Sequence, residues 1–420
     1  MLTRSRFAAL AGLSLVLAVA ASAPAAWGSA ASAGVTAASA RQAAHAAHFP
    51  AAAKARLSRE LSQAWQISRG QGVTIAVLTT AVDAVTGLAG KLTHGPDFAP
   101  LTGAPAIDGT ILASLIAGSG PTGTNPFGTI GRAPGAKILA EQMVDYGAGR
   151  RGLKYQQDRT WQSLAAKAIR YAVNHGASVI VNTEFGYTDT SALDSAVAYA
   201  ISRKVVVLGS DGVFGRTPNA PSYPDSLPGV IDFSGVTLSG LPTPPRAVRS
   251  PVNDSVLLAA PGNILYATGP GNAPYYAWGS NSTIAWVAGT VALLKSVYPQ
   301  ITPAQVARAL AESASYHPAG GYNTTVGFGL INPAGALHDA SALVKLGTSA
   351  ASGPGTVSAS ARFGTSQPGV IEAVPHATAK VAGFAATIVV GLIMLVLAIN
   401  PAVRRRRRAD TVRAGTVRVG

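Results

Sequence analysis

The sequence predicts an α/β fold, with a mainly parallel sheet between helices and one C-terminal transmembrane helix. Three observations carry that expectation. First, short β-branched runs at Gly72 to Leu78, Ala136 to Val144, Ala177 to Asn182 and Lys204 to Gly209 alternate with helical patterns at Thr160 to His175 and Ser191 to Ser202. The strand runs are apolar on both faces, as parallel strands covered from both sides are. Second, 420 residues with 48% hydrophobic and only 12% charged side chains suffice for one large domain plus appendages. Third, Val381 to Ile399 carries no charge and matches the roughly 20 residues that a span requires.

The two ends define a topology. Arg4 and Arg6 precede an apolar run from Phe7 to Ala20, followed by small residues, the pattern of a secretory signal peptide. Ala21-Ser22-Ala23 and Ala31-Ser32-Ala33 both fit the cleavage rule, and Pro24 after the first favours the second. Arg404 to Arg408 follow the C-terminal apolar run, and arginines beside a span stay on the cytoplasmic side. The expected order is signal peptide (1–33), N-terminal extension (34–60), folded domain (61–345), Gly/Ser/Pro-rich linker (346–380), span (381–399) and basic tail (400–420). The expected location is the cell membrane, with a single pass, the ectodomain extracytoplasmic and the tail cytoplasmic.

Much of the net charge of +15 lies in that tail, where it orients the span and meets anionic lipid. The tail has no interleaved aromatics, so a nucleic-acid partner is not expected. The chain has no cysteine, which excludes disulfides, a thiolate nucleophile and cysteine-based metal sites. Neither a zinc-spaced His/Glu cluster nor a phosphate-binding Gly-Lys-Ser loop is present, so no cofactor and no metal is expected.

The most informative segment runs from Trp278-Gly279-Ser280-Asn281-Ser282-Thr283 through Gly289 to Leu294. It resembles the nucleophile segment of the subtilisin-like serine peptidases (subtilases), which opens a buried helix. Further pieces follow in the family's order. They include Gly131-Arg132-Ala133-Pro134-Gly135-Ala136, the helix-to-strand unit Ala168 to Val181, Tyr223-Pro224, Ala259-Ala260-Pro261-Gly262 and Gly327-Phe328-Gly329-Leu330-Ile331-Asn332. The resemblance implies a subtilisin-like three-layer fold. Signal, domain, linker, span and basic tail together look most like the mycosins, the membrane-anchored subtilases of type VII secretion.

By that resemblance Thr79 stands where the family has its catalytic aspartate, Asp108 where it has the histidine and Asn281 where it has the serine. The side-chain oxyanion donor aligns with Ser210, or with Val213 if no gap is allowed. No intact catalytic residue remains, because acyl transfer needs a nucleophile and a base to take its proton, and a carboxamide offers no hydroxyl or thiol. The neighbours Ser280 and Ser282 lie about 100° around a helix from position 281, off the attack line. Asp108 and Asn281 are read as helix caps, with Asp108 also suiting the helix dipole. His94 is placed on a surface turn, His175 at a helix end, and His317 and His338 beyond the nucleophile helix. Asp83 and Asp211 are read as turn and loop carboxylates.

The expected function is a non-catalytic pseudopeptidase whose partner is an extended peptide or the membrane proteins of a secretion complex. The alternative is an active serine endopeptidase with a relocated triad. A third reading is a purely structural ectodomain.

Overall fold

The computed structural model describes residues 49–50, 52–98, 106–144, 159–183, 186, 188–209, 222–239, 254–349, 383–391 and 394. The signal peptide, most of the linker, most of the apolar run 381–399 and the basic tail lie outside them. Among the described residues no helix is long and apolar enough to cross a membrane. Residues 383–391 are helical, with Phe384, Ile388, Val389 and Val390 exposed.

Five parallel strands form the main sheet: β1 (Thr74–Thr79), β2 (Leu92–Asp97), β3 (Lys137–Gln142), β4 (Val179–Asn182) and β5 (Val206–Leu208). Their order is β2-β3-β1-β4-β5. The expected strand-and-helix alternation is therefore present in β1, β3, β4 and β5, with ends shifted by at most two residues, and β2 is a strand that the sequence did not announce. A parallel pair, β6 (Asp232–Val236) with β7 (Val256–Pro261), extends the architecture, and an antiparallel hairpin follows, β8 (Leu265–Thr268) with β9 (Pro274–Ala277). The helices are α1 (Ala52–Ile67), α2 (Ile107–Ala117), α3 (Arg159–Asn174), α4 (Ser191–Ser202), α5 (Ser280–Val297), α6 (Pro303–Ser313) and α7 (Pro333–Ser349).

Strand alternation divides the core into two layers. Ile75, Val77, Ile138 and Ala140 point to the side covered by α1, α2, α5, α6 and α7. Ala76, Leu78, Leu139 and Met143 point to the side covered by α3 and α4. Burying each Leu or Ile side chain contributes about 1.5–3 kcal/mol, so both faces of β1 and β3 anchor the domain. The helix α1 runs through residues 60 and 61, where the sequence places the domain's edge, and buries Ala53, Leu57, Leu61 and Ala64.

Helix α5 is enclosed from Ser282 to Lys295. Small residues make this position accessible. A Cβ at Gly289 would collide with the Arg132 side chain, whose guanidinium lies 4.4 Å from the Trp286 ring. At the other end of the sheet, Gly109 lets the first turn of α2 settle onto the loop after β1. A Cβ there would overlap the Ala81 carbonyl and stand 2.6 Å from the Thr80 carbonyl oxygen. Both obstacles are backbone and cannot rotate away. Gly109→Ala is expected to destabilise the domain by about 1–3 kcal/mol through overpacking, measured as a lower urea midpoint. Gly176→Ala, where an added Cβ meets nothing within 4 Å but φ is +81°, gives a comparison for backbone strain alone.

Candidate functional site

Three chain segments converge at the C-terminal end of the parallel sheet. Thr79 ends β1, is buried, and accepts main-chain bonds from Met143 (2.7 Å) and Val144 (3.4 Å) at the end of β3. The next residue, Thr80, accepts a bond from the Gly109 main-chain N–H at its Oγ1 (2.9 Å). Thr110 Oγ1 accepts from the Asp83 N–H (2.8 Å) and donates to the Ala106 carbonyl. Two threonine hydroxyls thus fasten the start of α2 to the loop after β1. Sequence reasoning missed Thr80, because its partner is a backbone group 29 residues away.

Asp108 and Asn281 are brought together. Asn281 Nδ2 donates to Asp108 Oδ1 at 3.3 Å, and both residues are half-buried. That length lies beyond the usual 2.9–3.0 Å for such a bond, so it offsets little of the cost of enclosing a carboxylate. Burial accordingly dominates and raises the Asp108 pKa, with the Asn281 amide pulling it partway back. Among the described residues no hydrogen bond joins the Thr79 side chain to this pair.

The capping expectation needs correction. Asp108 and Asn281 each occupy the second residue of their helix, and the cap positions are Ala106 and Gly279, neither of which supplies a side-chain cap. Gly279 has φ 62° and ψ −134°, a backbone conformation that favours glycine and sets the direction in which α5 begins. From the second position both side chains reach across the gap between α2 and α5 instead of back to their own backbones. Asp108 still lies in the first turn, where the helix dipole favours its negative form.

The remaining candidates stand apart from the pair. Ser282 is fully enclosed and its hydroxyl has no hydrogen-bond partner among the described residues, whereas Ser280 is half-buried. Ser210 and Asp211 lie outside the described residues. Asp83 accepts from the Gly271 N–H at 3.1 Å, which ties the loop after β1 to the tip of the β8–β9 hairpin. His94 lies within β2, paired with Ala140, and not on a turn as the sequence suggested. His175 stacks on Tyr171 with ring centroids 3.7 Å apart, His317 Nδ1 bonds the Phe328 carbonyl oxygen, and His338 bonds Asp339. No group of three or more His, Asp or Glu among the described residues is placed to hold a metal ion.

Two buried acids near this end of the sheet also escaped the sequence reading. Asp225 and Asp232 converge on Gly209, at the end of β5, with an oxygen of each 3.0 and 3.2 Å from where its Cβ would be. Ser222 donates to Asp225 (2.9 Å), and Ser255 and the Phe233 N–H donate to Asp232 (2.6 and 2.8 Å). Burial, then the neighbouring Asp225 charge, push Asp232 up to about 8 against those bonds. Burial likewise raises Glu141 of β3 to about 8, and neither of its carboxyl oxygens has a partner among the described residues.

The sequence and fold have counterparts among known proteins. Residues 70–329 match the model of the Subtilase family. The chain is a subtilase. Mycosin-1 of Mycobacterium tuberculosis is 28% identical over 322 residues, spanning 66% of this chain and 71% of the relative. Thermitase of Thermoactinomyces vulgaris is 32% identical over 239 residues, spanning 56% and 78% respectively. The solved structure of MycP1, described as a serine protease and an essential component of the type VII (ESX-1) secretion system, superposes with a TM-score of 0.56 at 28% identity. It covers 70% of this subtilase and 89% of that chain.

The enclosed acids give the subtilase a pH signature. An acid raised from about 4 to about 8 stabilises the fold fully below its ordinary value, and that contribution is lost as pH rises toward 8. Asp232→Asn and Glu141→Gln are each expected to flatten the fall in thermal midpoint between acidic and alkaline buffer. The gain should be largest at the alkaline end, read by differential scanning calorimetry.

Proposed function

We propose that this subtilase is a pseudopeptidase, anchored in the cell membrane with its folded domain extracytoplasmic. In this reading it serves protein secretion as a non-catalytic component that binds an extended peptide or scaffolds membrane proteins of a secretion complex. The observation that carries the proposal is the Asn281–Asp108 contact, at 3.3 Å. By family resemblance these are the nucleophile and base positions, and here a carboxamide faces a carboxyl group. The carboxamide has no hydroxyl or thiol that a base could deprotonate, so the nucleophile position supplies nothing to attack a peptide carbonyl. Thr79, at the third position of the resemblance, has no carboxylate with which to orient a base.

The secretion assignment is supported by similarity to mycosin-1 and to MycP1, a component of a type VII secretion system. Anchoring is supported by the uncharged run from Val381 to Ile399 and by Arg404 to Arg408 beyond it. Retention of the domain without hydrolysis is consistent with a binding role, since exposed strand edges can hold an extended chain by main-chain bonds.

Treatment of the full-length protein with a fluorophosphonate probe, followed by peptide mapping, separates this reading from a relocated triad. No specific labelling is expected. A labelled Ser280 or Ser282 would overturn the proposal. The combined change Thr79→Asp, Asp108→His and Asn281→Ser is expected to introduce labelling at position 281 in a protein that keeps its native unfolding midpoint. A folded but unlabelled triple variant would count against this assignment of the triad positions or against a shell that still supports them.

A further inference from the structure

The end of the sheet opposite the Asp108–Asn281 pair has a uniform charge. It is built where α1, α3, α4 and α5 finish and β1 to β5 begin. Cross-links confirm the convergence: Gly135 N–H bonds the Arg69 carbonyl (2.7 Å), Ser296 Oγ the Gln71 carbonyl (2.7 Å), and Val206 N–H the Ser178 carbonyl (3.1 Å). Lys204 Nζ bonds Gln300 (2.9 Å), and Gln305, at the start of α6, bonds the Leu343 carbonyl of α7 (3.0 Å). Residues 67–73, 89–92, 133–137, 174–178, 202–206, 295–302 and 343–346 therefore share one end of the domain. They include Arg69, Lys91, Lys137, Arg203, Lys204, Lys295 and Lys345, and no Asp or Glu. At the opposite end Asp83, Asp97, Asp108, Asp189 and Asp194 mark the strand ends and helix starts.

Helix dipoles account for part of this pattern, since cations favour helix C-termini. They do not call for Lys91 and Lys137, which precede or begin strands, nor for bare apolar side chains. Lys91 and Lys295 are consumed internally, on the Ala117 and Pro134 carbonyls and on the Lys204 and Ile301 carbonyls. Arg69, Lys137, Arg203, Lys204 and Lys345 are exposed. Ile67 and Leu346, each 60% exposed, lie at the same end, where α1 and α7 finish. A basic face carrying exposed aliphatic side chains is the composition of a surface that meets anionic lipid.

Chain length says where that lipid is. Helix α7 finishes at Ser349, and the uncharged run begins at Val381. Gly/Ser-rich chains of that length have a root-mean-square reach of about 30 Å, which would keep the base of the sheet near the bilayer at high effective concentration. We propose that this basic end of the domain docks on the anionic phospholipid surface from which the chain is tethered, directing the Asp108–Asn281 end away from the membrane. The proposal rests on the anchored reading above.

The test uses the full-length protein, whose lack of cysteine permits single labels at Ile67→Cys, Leu346→Cys and Ala192→Cys, the last on the exposed start of α4. Each variant carries an environment-sensitive fluorophore and is reconstituted in phosphatidylcholine bilayers with or without phosphatidylglycerol. Labels at 67 and 346 are expected to shift to the blue and be quenched by spin-labelled lipid only when phosphatidylglycerol is present. Raised salt should reverse this by screening, and position 192 should remain in water throughout. Lys137→Glu, Arg203→Glu and Lys204→Glu together should abolish the shift while the unfolding midpoint is kept. Labels at 67 and 346 that stay in water on anionic bilayers overturn the proposal. Extraction by alkaline carbonate reads the span separately. A chain that is extracted yet still reports lipid at position 67 sinks the anchor and keeps the surface, and one that is extracted and reports none sinks both.

Discussion

The approach of two helix starts to the end of β1 is the constraint on which the site depends. Gly109 has no room for a side chain above the Thr80 and Ala81 carbonyls, and Thr80 and Thr110 bind that junction through their hydroxyls. Helix α5 arrives at the same place because Gly279 adopts a left-handed conformation before it. With both helices fixed, residues 108 and 281 must face each other whatever side chains they carry. The two helix starts thus hold a carboxyl group against a carboxamide.

Partial exposure explains how this pair can be tolerated. Asp108 bears a burial cost that the long Asn281 bond does not cancel, as its raised pKa indicates. The residual cost is moderated by partial exposure and by the start of α2. Ser282, one residue along α5, faces the packed interior, because a helix turns side chains by about 100° per residue. Its enclosure excludes it as an exposed nucleophile in this conformation, despite its place beside Asn281 in the sequence.

Four of the five parallel strands were legible because they are largely apolar runs, and the enclosed α5 because its segment carries family resemblance. The edge strand β2 was not, since Leu92–Asp97 is polar, holds Gly95 and Pro96, and is largely exposed. Asp108 and Asn281 were placed by motif, and the contact between them follows from the same fold. The cap assignment was wrong by two positions, since sequence alone cannot tell the residue before a helix from the second residue within it. Glu141 left a readable signal: a lone acid inside the apolar run from Ala136 to Val144. Asp225 and Asp232 left none, because their convergence depends on β5 delivering Gly209 beside both. Helix α1 was absorbed into an extension because its Ala-rich, charged sequence lacks a strong apolar stripe, although Leu57 and Leu61 are enclosed in the core.

The pairing of α1 with α7 has a kinetic consequence. Helix α1 begins at Ala52 and α7 at Pro333, so most of the domain separates two elements that pack on the same layer. Closing so long a loop costs entropy before the contact returns any stability, which slows folding. During synthesis, Leu57 and Leu61 await partners that are made only as the domain nears completion. A chain emerging from its N-terminus therefore holds an incomplete core until α7 has cleared whatever channel delivers it.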